Sequence, residues 1–182
     1  RGIAAGDGLT IGALTTHAEL AASAEVKQYA EALAEAAGQV GDPAVRNRGT
    51  IGGNIAHADP ASDLPTVLAA LGATVNIVGS DGERSIDVTD FFQGVMMTAL
   101  GDNEVLTSIR LSAAAAGQGT AYAKFGHPAS RYAVIGVAAS VTVSGGTCSA
   151  ASVAIGGLVP TPVRCSGVEQ ALTGQVLSAE TI

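Results

Sequence analysis

The chain has 182 residues, 47% of them hydrophobic, which is enough length and apolar content to bury a core for one generous domain or two small ones. Lysine and arginine number 9 against 16 aspartates and glutamates, and the net charge of -7 removes the electrostatic basis for gripping nucleic acid or an anionic membrane. Cys148 and Cys165 form no CxxC pair, and His17, His57 and His127 have no metal-ligand spacing, so this chain alone is expected to hold neither zinc nor an iron–sulfur cluster. The three histidines are read as surface or satisfied residues.

Arg1 is followed by glycines, alanines and an acidic residue rather than a basic region and an apolar run, so no signal peptide is expected and the expected location is the cytoplasm. Residues 9–14 read as a short strand, and Thr16 with Glu19 three positions on is a capping-box signature for the helix that follows. Over 25–37, Val26, Tyr29, Ala30, Leu33 and Ala37 recur at helical spacing, with Ser23 as N-cap and Gly38 as stop. Lys27, Glu31 and Glu35 line a second face of that helix at four-residue spacing.

Residues 41–65 differ in kind: Gly41, Gly49, Gly52, Gly53, three prolines and little amphipathic period mark an ordered loop or a ligand-cradling segment. A short helix over 64–71, a strand over 73–78, a Ser80-Asp81-Gly82 turn and a strand over 84–88 follow. A single helical turn is expected over 90–94, then a strand over 104–111 with Val105, Thr107, Ile109 and Leu111 on one face. The alanines and glycines of 113–119 place a domain boundary, giving units 1–112 and 113–182. The second unit reads as three strands, 120–125, 134–143 and 148–156, with a hairpin turn at 144–147, a helix at 167–172 and a further helix start at Ser178. Residues 133–159 are mildly apolar, yet Ser140, Thr142, Ser144, Ser149 and Ser152 interrupt them, so strands are expected there and no transmembrane segment.

The segment richest in chemistry runs from Arg48 through Thr50-Ile51-Gly52-Gly53-Asn54 and is followed by Asp59-Pro60-Ala61-Ser62-Asp63-Leu64-Pro65. Adjacent glycines let backbone approach a ligand closely and turn N–H groups toward an anion, as a diphosphate requires where arginines are scarce. A tight turn between elements would use the same pair.

With its flanks, this segment resembles the second FAD motif of the FAD-binding (medium) subunit of molybdenum hydroxylases of the aerobic carbon monoxide dehydrogenase and xanthine dehydrogenase type. Asp63 stands nine positions after Asn54, where that motif places an acidic residue. Residues 9–20, 42–48, 104–110 and 121–125 also follow the family's order, so the resemblance covers nearly the whole chain. It implies an α+β fold: a FAD-binding subdomain of the vanillyl-alcohol-oxidase (PCMH) type with antiparallel sheet and helices, then a small three-stranded-sheet-plus-helix C-terminal domain.

The resemblance further implies that Thr50, Ile51, Gly52, Gly53 and Asn54 surround the diphosphate and neighbouring flavin atoms, and that Asp63 binds a ribityl or ribose hydroxyl. Asp63 also reads as an N-cap for the helix at Leu64. By the same resemblance Leu106 packs near the isoalloxazine, Lys124 approaches its pyrimidine side, and Tyr132 covers one face of the ring. Their plainer readings are a core leucine, an outward-facing strand lysine and edge-of-sheet packing. The family's earlier glycine-rich loop, Ala-Gly-Gly-x-Ser, has no counterpart here, so the chain is expected to be truncated at both ends. The two distant cysteines argue against the family variant with an extra cysteine-bound cluster.

The function implied is electron transfer through FAD, from an iron–sulfur subunit to an acceptor, beside a molybdenum subunit that oxidises the substrate. The molybdenum cofactor and [2Fe-2S] clusters would sit on those partners, in a dimer of heterotrimers, and FAD would be held non-covalently. A self-contained FAD-dependent reductase or oxidase of the same fold, and a cofactor-free assembly module, are the rival readings.

Overall fold

The computed structural model describes residues 1–179. Strands β1 (Ile3–Gly6) and β2 (Gly8–Gly12) form an antiparallel pair with Gly6 opposite Gly8. Thr16 then caps α1 (His17–Ala22) through the expected box: its Oγ1 accepts from the Glu19 N–H, and the Glu19 carboxylate accepts from the Thr16 N–H. Ser23 caps the next helix as expected, but the single helix over 25–37 is two, α2 (Ala24–Tyr29) and α3 (Glu31–Gln39), broken at Ala30 with φ -159° and ψ 71°. The break follows from packing in two directions: α2 lies on β1 and β2, whereas α3 lies on α1 and on elements further along the chain. Gly38 does not stop α3. The chain turns instead at Gly41, whose φ is +48°.

The segment 41–65 is not a loop. Asp42 caps α4 (Pro43–Arg46), with proline at the first helical position where its missing N–H costs nothing, and Thr50 caps α5 (Ile51–His57). The glycine pair therefore lies in the first turn of a helix rather than in a tight turn. Next comes α6 (Asp63–Ala70), every residue of which is buried. The hairpin β3 (Thr74–Gly79) and β4 (Gly82–Asp87) is followed by α7 (Val88–Phe91), which takes the helical turn expected slightly later, and by the small ladder of β5 (Phe92–Gly94) and β6 (Met97–Thr98).

β7 (Glu104–Leu111) completes a five-stranded antiparallel sheet of order β1-β2-β7-β3-β4. Its alternation departs from the expected one: Thr107 drops out of the register between Asn76↔Ser108 and Ile77↔Leu106. This bulge puts Leu106, Ile109 and Leu111 on the buried face and leaves Val105 and Thr107 outside.

β8 (Gln118–Gly126), β9 (Ala133–Ser144), β10 (Thr147–Gly156) and β11 (Val163–Arg164) form a second antiparallel sheet of order β11-β10-β9-β8, and α8 (Ser166–Leu172) packs on β10. The sheet has four strands where three were expected, because β11 is two exposed residues without alternation. Gly145 and Gly146, both at positive φ, turn the β9–β10 hairpin. The helix start at Ser178 would run through 180–182, outside the described residues. No helix among the described residues is long and apolar enough to cross a membrane.

Buried α6 joins the two sheets. It packs against α3 on one side and β9 and β10 on the other, and Gly156 is bare where the Thr66 side chain approaches. One apolar cluster runs from Leu9 and Phe91 through Leu64 to Tyr122, Ala138 and Ala154. Where α6 begins, the buried Asp63 side chain meets β8.

Candidate functional site

The start of α5 is tied into the end of β2. The Ile51 N–H donates to Thr15 O at 3.0 Å, the Gly52 N–H to Ala13 O at 2.9 Å, and the Gly53 N–H to Thr50 Oγ1 at 3.2 Å. Asn54 N–H closes the first helical bond, to Thr50 O. Two of the glycines are explained by this packing alone: a Cβ on Gly52 would lie 2.5 Å from that of Ala13, and one on Gly49 would lie 2.9 Å from the His17 ring. Ile51 is fully buried. Gly53 is exposed, and a Cβ there would meet only Thr50 Oγ1, at 3.1 Å. Thr50 and Asn54 are part-exposed beside it.

A cavity of about 370 Å³ opens next to this turn. Its walls come from four places in the chain: Val40 after α3, Asn54 on α5, Ser62 and Asp63 at the start of α6, and Tyr132 before β9. Ser62 Oγ donates to Asn54 Oδ1 at 2.8 Å, joining α5 to α6. The β8–β9 loop is fixed from within, since His127 Nδ1 accepts from Ala129 and Ser130 N–H and the His127 N–H donates to Tyr132 O. It is tied to the α6 entry by the Ala133 N–H donating to Ala61 O. Tyr132, 53% exposed, is thereby held at the cavity rim rather than packed on a sheet edge. A second cavity of about 500 Å³, lined by Lys124 and Arg46, shares Gly41 and Arg131 with the first.

Asp63 is 5% exposed and binds two partners: Tyr122 donates to Oδ1 at 2.6 Å, and the Lys124 ammonium to Oδ2 at 3.1 Å. Lys124 Nζ also donates to Gln39 O at the end of α3, at 3.2 Å. Both charged side chains are 6% exposed, so Lys124 is not an outward-facing strand lysine. Nor is Asp63 an N-cap: Ser62 occupies that position, and Asp63 is the first helical residue with its carboxylate turned to β8. Burial first, then the Asp63 charge, pushes the Tyr122 phenol above its ordinary pKa and keeps it a neutral donor.

The structure therefore brings Asn54, Asp63 and Tyr132 to one cavity, with Lys124 behind Asp63. Leu106 is not brought there; it is 7% exposed and sits in the core. Sequence reasoning missed Tyr122 and Val40. Thr120, Tyr122 and Lys124 share one face of β8 by alternation, a signal that could have found the first; none marks the second. The histidine reading is corrected at His17, which is buried with Nδ1 lacking a hydrogen-bond partner among the described residues, its pKa lowered by desolvation. His57 and His127 are exposed as expected. Among the described residues no group of three or more histidines, cysteines and carboxylates could hold a metal ion.

Residues 3–113 match the family of the FAD binding domain in molybdopterin dehydrogenase, and residues 120–182 match the CO dehydrogenase flavoprotein C-terminal domain. The carbon monoxide dehydrogenase medium chain of Hydrogenophaga pseudoflava is 39% identical over 177 residues, covering 97% of this chain and 62% of that one. The glyceraldehyde dehydrogenase medium chain of Sulfolobus acidocaldarius is 36% identical over 176 residues, with the same coverages, 97% and 62%. A solved structure of carbon monoxide dehydrogenase from Hydrogenophaga pseudoflava superposes with a TM-score of 0.94 at 41% identity, over 100% of this chain and 64% of the other. The chain spans less than two thirds of the length of these relatives. With one family matched over most of its first sheet and helices and a second over its C-terminal sheet, the chain belongs to the FAD-binding domains of molybdopterin dehydrogenases.

Proposed function

We propose that the cavity between α5, α6 and the β8–β9 loop receives the flavin end of FAD. The complete protein is then the flavoprotein subunit of a molybdenum-containing hydroxylase of the carbon monoxide or xanthine dehydrogenase type. The observation that carries this is convergence: Asn54 and Asp63, nine positions apart, and Tyr132 from a distant segment line one cavity of about 370 Å³. The fit with FAD is testable residue by residue. The open surface over Gly53 leaves room for a ligand backbone, Asp63 can accept hydrogen bonds from sugar-alcohol hydroxyls, and Tyr132 offers an aromatic face to a ring. The fit is poorer for a diphosphate bound by the N–H groups of Ile51 and Gly52, because those donors already have protein acceptors.

Bound FAD would supply a redox group able to take up electrons and pass them on. The chain's own residues would orient it. Lys124 would hold positive charge near the ring, Asp63 would fix the side chain attached to it, and Tyr132 would keep water from one face. Partner subunits would carry the iron–sulfur clusters and the molybdenum cofactor, in a dimer of heterotrimers, in the cytoplasm. In this reading 1–112 and 113–182 act as two units that share the site, Asp63 coming from one and Lys124 and Tyr132 from the other.

Titration of FAD into the complete protein tests the proposal. Tyr132→Ala and Asn54→Ala should each weaken binding roughly tenfold, equivalent to about 1.4 kcal/mol. Wild-type affinity in both variants would place the flavin elsewhere.

A further inference from the structure

We infer that Tyr122 is a positioning residue for the flavin site: its phenol holds one oxygen of Asp63, and so sets how far the Lys124 charge is spent on Asp63 or left for the ligand. The inference rests on the reading that the cavity binds flavin. It adds a residue that does not line the cavity at all and acts only through Asp63 and Lys124.

The geometry is specific. Alternation along β8 places Tyr122 and Lys124 on the same face, and both reach the carboxylate at the start of α6, one on each oxygen. The strand cannot slide to change this, because the Tyr122 N–H donates to Glu35 Oε2 on α3 at 2.8 Å. On the neighbouring strand Gly136 leaves the space that the phenol fills. A Cβ there would stand 2.5 Å from the Tyr122 oxygen, so any other residue at 136 would push the hydroxyl off Asp63.

The chemistry follows from what each donor brings. An ionised carboxylate offers about four acceptor positions, and a buried one left short of donors is costly. Tyr122 supplies a hydrogen bond without supplying charge, and with its acidity suppressed by burial it stays a donor across the working pH range. Asp63 is thereby satisfied on Oδ1, and Lys124 is shared among Asp63 Oδ2, Gln39 O and the second cavity, which adjoins the flavin cavity through Gly41 and Arg131. Without the phenol, the carboxylate must draw more of its compensation from the ammonium. The positive charge then moves toward Asp63 and away from the ligand.

The readout is the affinity of the complete protein for oxidised and for chemically reduced FAD, the latter measured anaerobically. In Tyr122→Phe both should weaken, the reduced form more, so that the ratio of reduced to oxidised affinity falls about threefold or more. Gly136→Ala, which keeps the tyrosine but displaces its hydroxyl, should shift the ratio in the same direction. A residue that only packs would weaken both forms alike, and an unchanged ratio in both folded variants overturns the inference. Asp63→Asn separates the two levels. If it leaves FAD affinity and ratio at wild-type values, the flavin reading itself fails; if it shifts them while Tyr122→Phe and Gly136→Ala do not, only the role of Tyr122 fails.

Discussion

The start of α5 and the start of α6 both carry residues that stand out in the sequence, yet they do different work. At the entry to α5, Gly49, Gly52 and the first backbone donors are turned inward, while Gly53 faces out. Gly52 lets the helix meet Ala13, Gly49 makes room for His17, and the first N–H groups bind the chain beyond β2. At α6 the polar side chains are turned toward a cavity and toward another strand, and Asp63 gathers Tyr122 and Lys124 from some sixty residues away in sequence. Glycine-rich composition thus marks where backbone comes close to something, and here that something is mostly the protein itself. A binding site is marked instead by unlike side chains from distant segments meeting at one opening.

The largest effect that separates the two regions is electrostatic. Asp63→Ala would leave the Lys124 ammonium buried without its carboxylate, at a cost of about 3–5 kcal/mol in chemical denaturation. Asp63→Leu combined with Lys124→Met and Tyr122→Phe removes both charges and the phenol donor and should recover most of that loss. A single-variant cost below about 1 kcal/mol would mean that the pair is solvated and that α6 carries no buried charge.

Within α5 the two adjacent glycines should respond differently to a side chain. Gly52→Val should cost about 3 kcal/mol through overpacking against Ala13, whereas Gly53→Val, whose Cβ would meet the capping Thr50 Oγ1, should cost no more than about 1 kcal/mol. FAD binding should invert the order of interest: the stable Gly53→Val protein should bind at least roughly tenfold more weakly. Full affinity in that variant would remove α5 from the site and leave its glycines wholly structural.

The smallest effect lies on the exposed side of α1, whose N-cap Thr16 bridges to Thr50 at the α5 entry. The Arg1 guanidinium, then Thr16, hold the Glu19 carboxyl at about 2, below its ordinary 4.5. A carboxylate with a depressed folded pKa stabilises above its unfolded value, and that contribution is lost as pH falls from about 4.5 toward about 2. Glu19→Gln should therefore flatten this part of the acid-unfolding profile and leave FAD affinity unchanged at neutral pH. A steeper profile would contradict the assignment.

The capped helices were legible from sequence because a cap is a local event: Thr16 with Glu19, and Ser23, each act within one turn. The break at Ala30, the bulge at Thr107 and the two-residue strand β11 were not, since each is imposed by what the segment packs against or pairs with. α5 was hidden by its own composition, because Ile51-Gly52-Gly53-Asn54 has low helix propensity and is held helical by Thr50 and the bonds to Ala13 and Thr15. Of the candidate site, Asp63, Lys124 and Tyr132 were legible only through a motif order, and nothing in that order paired Asp63 with Lys124. Tyr122 was invisible as a participant because its partner lies in another element. Leu106 shows the reverse: its position in the order was clear, and the structure places it in the core.

The most direct test of the central claim is a structure of the complete protein with FAD bound. The flavin ring is expected against Tyr132 in the cavity of about 370 Å³, with Asp63 within hydrogen-bond distance of a hydroxyl on the chain attached to the ring. A flavin ring bound elsewhere, with Asn54, Asp63 and Tyr132 all out of contact with the cofactor, would contradict it.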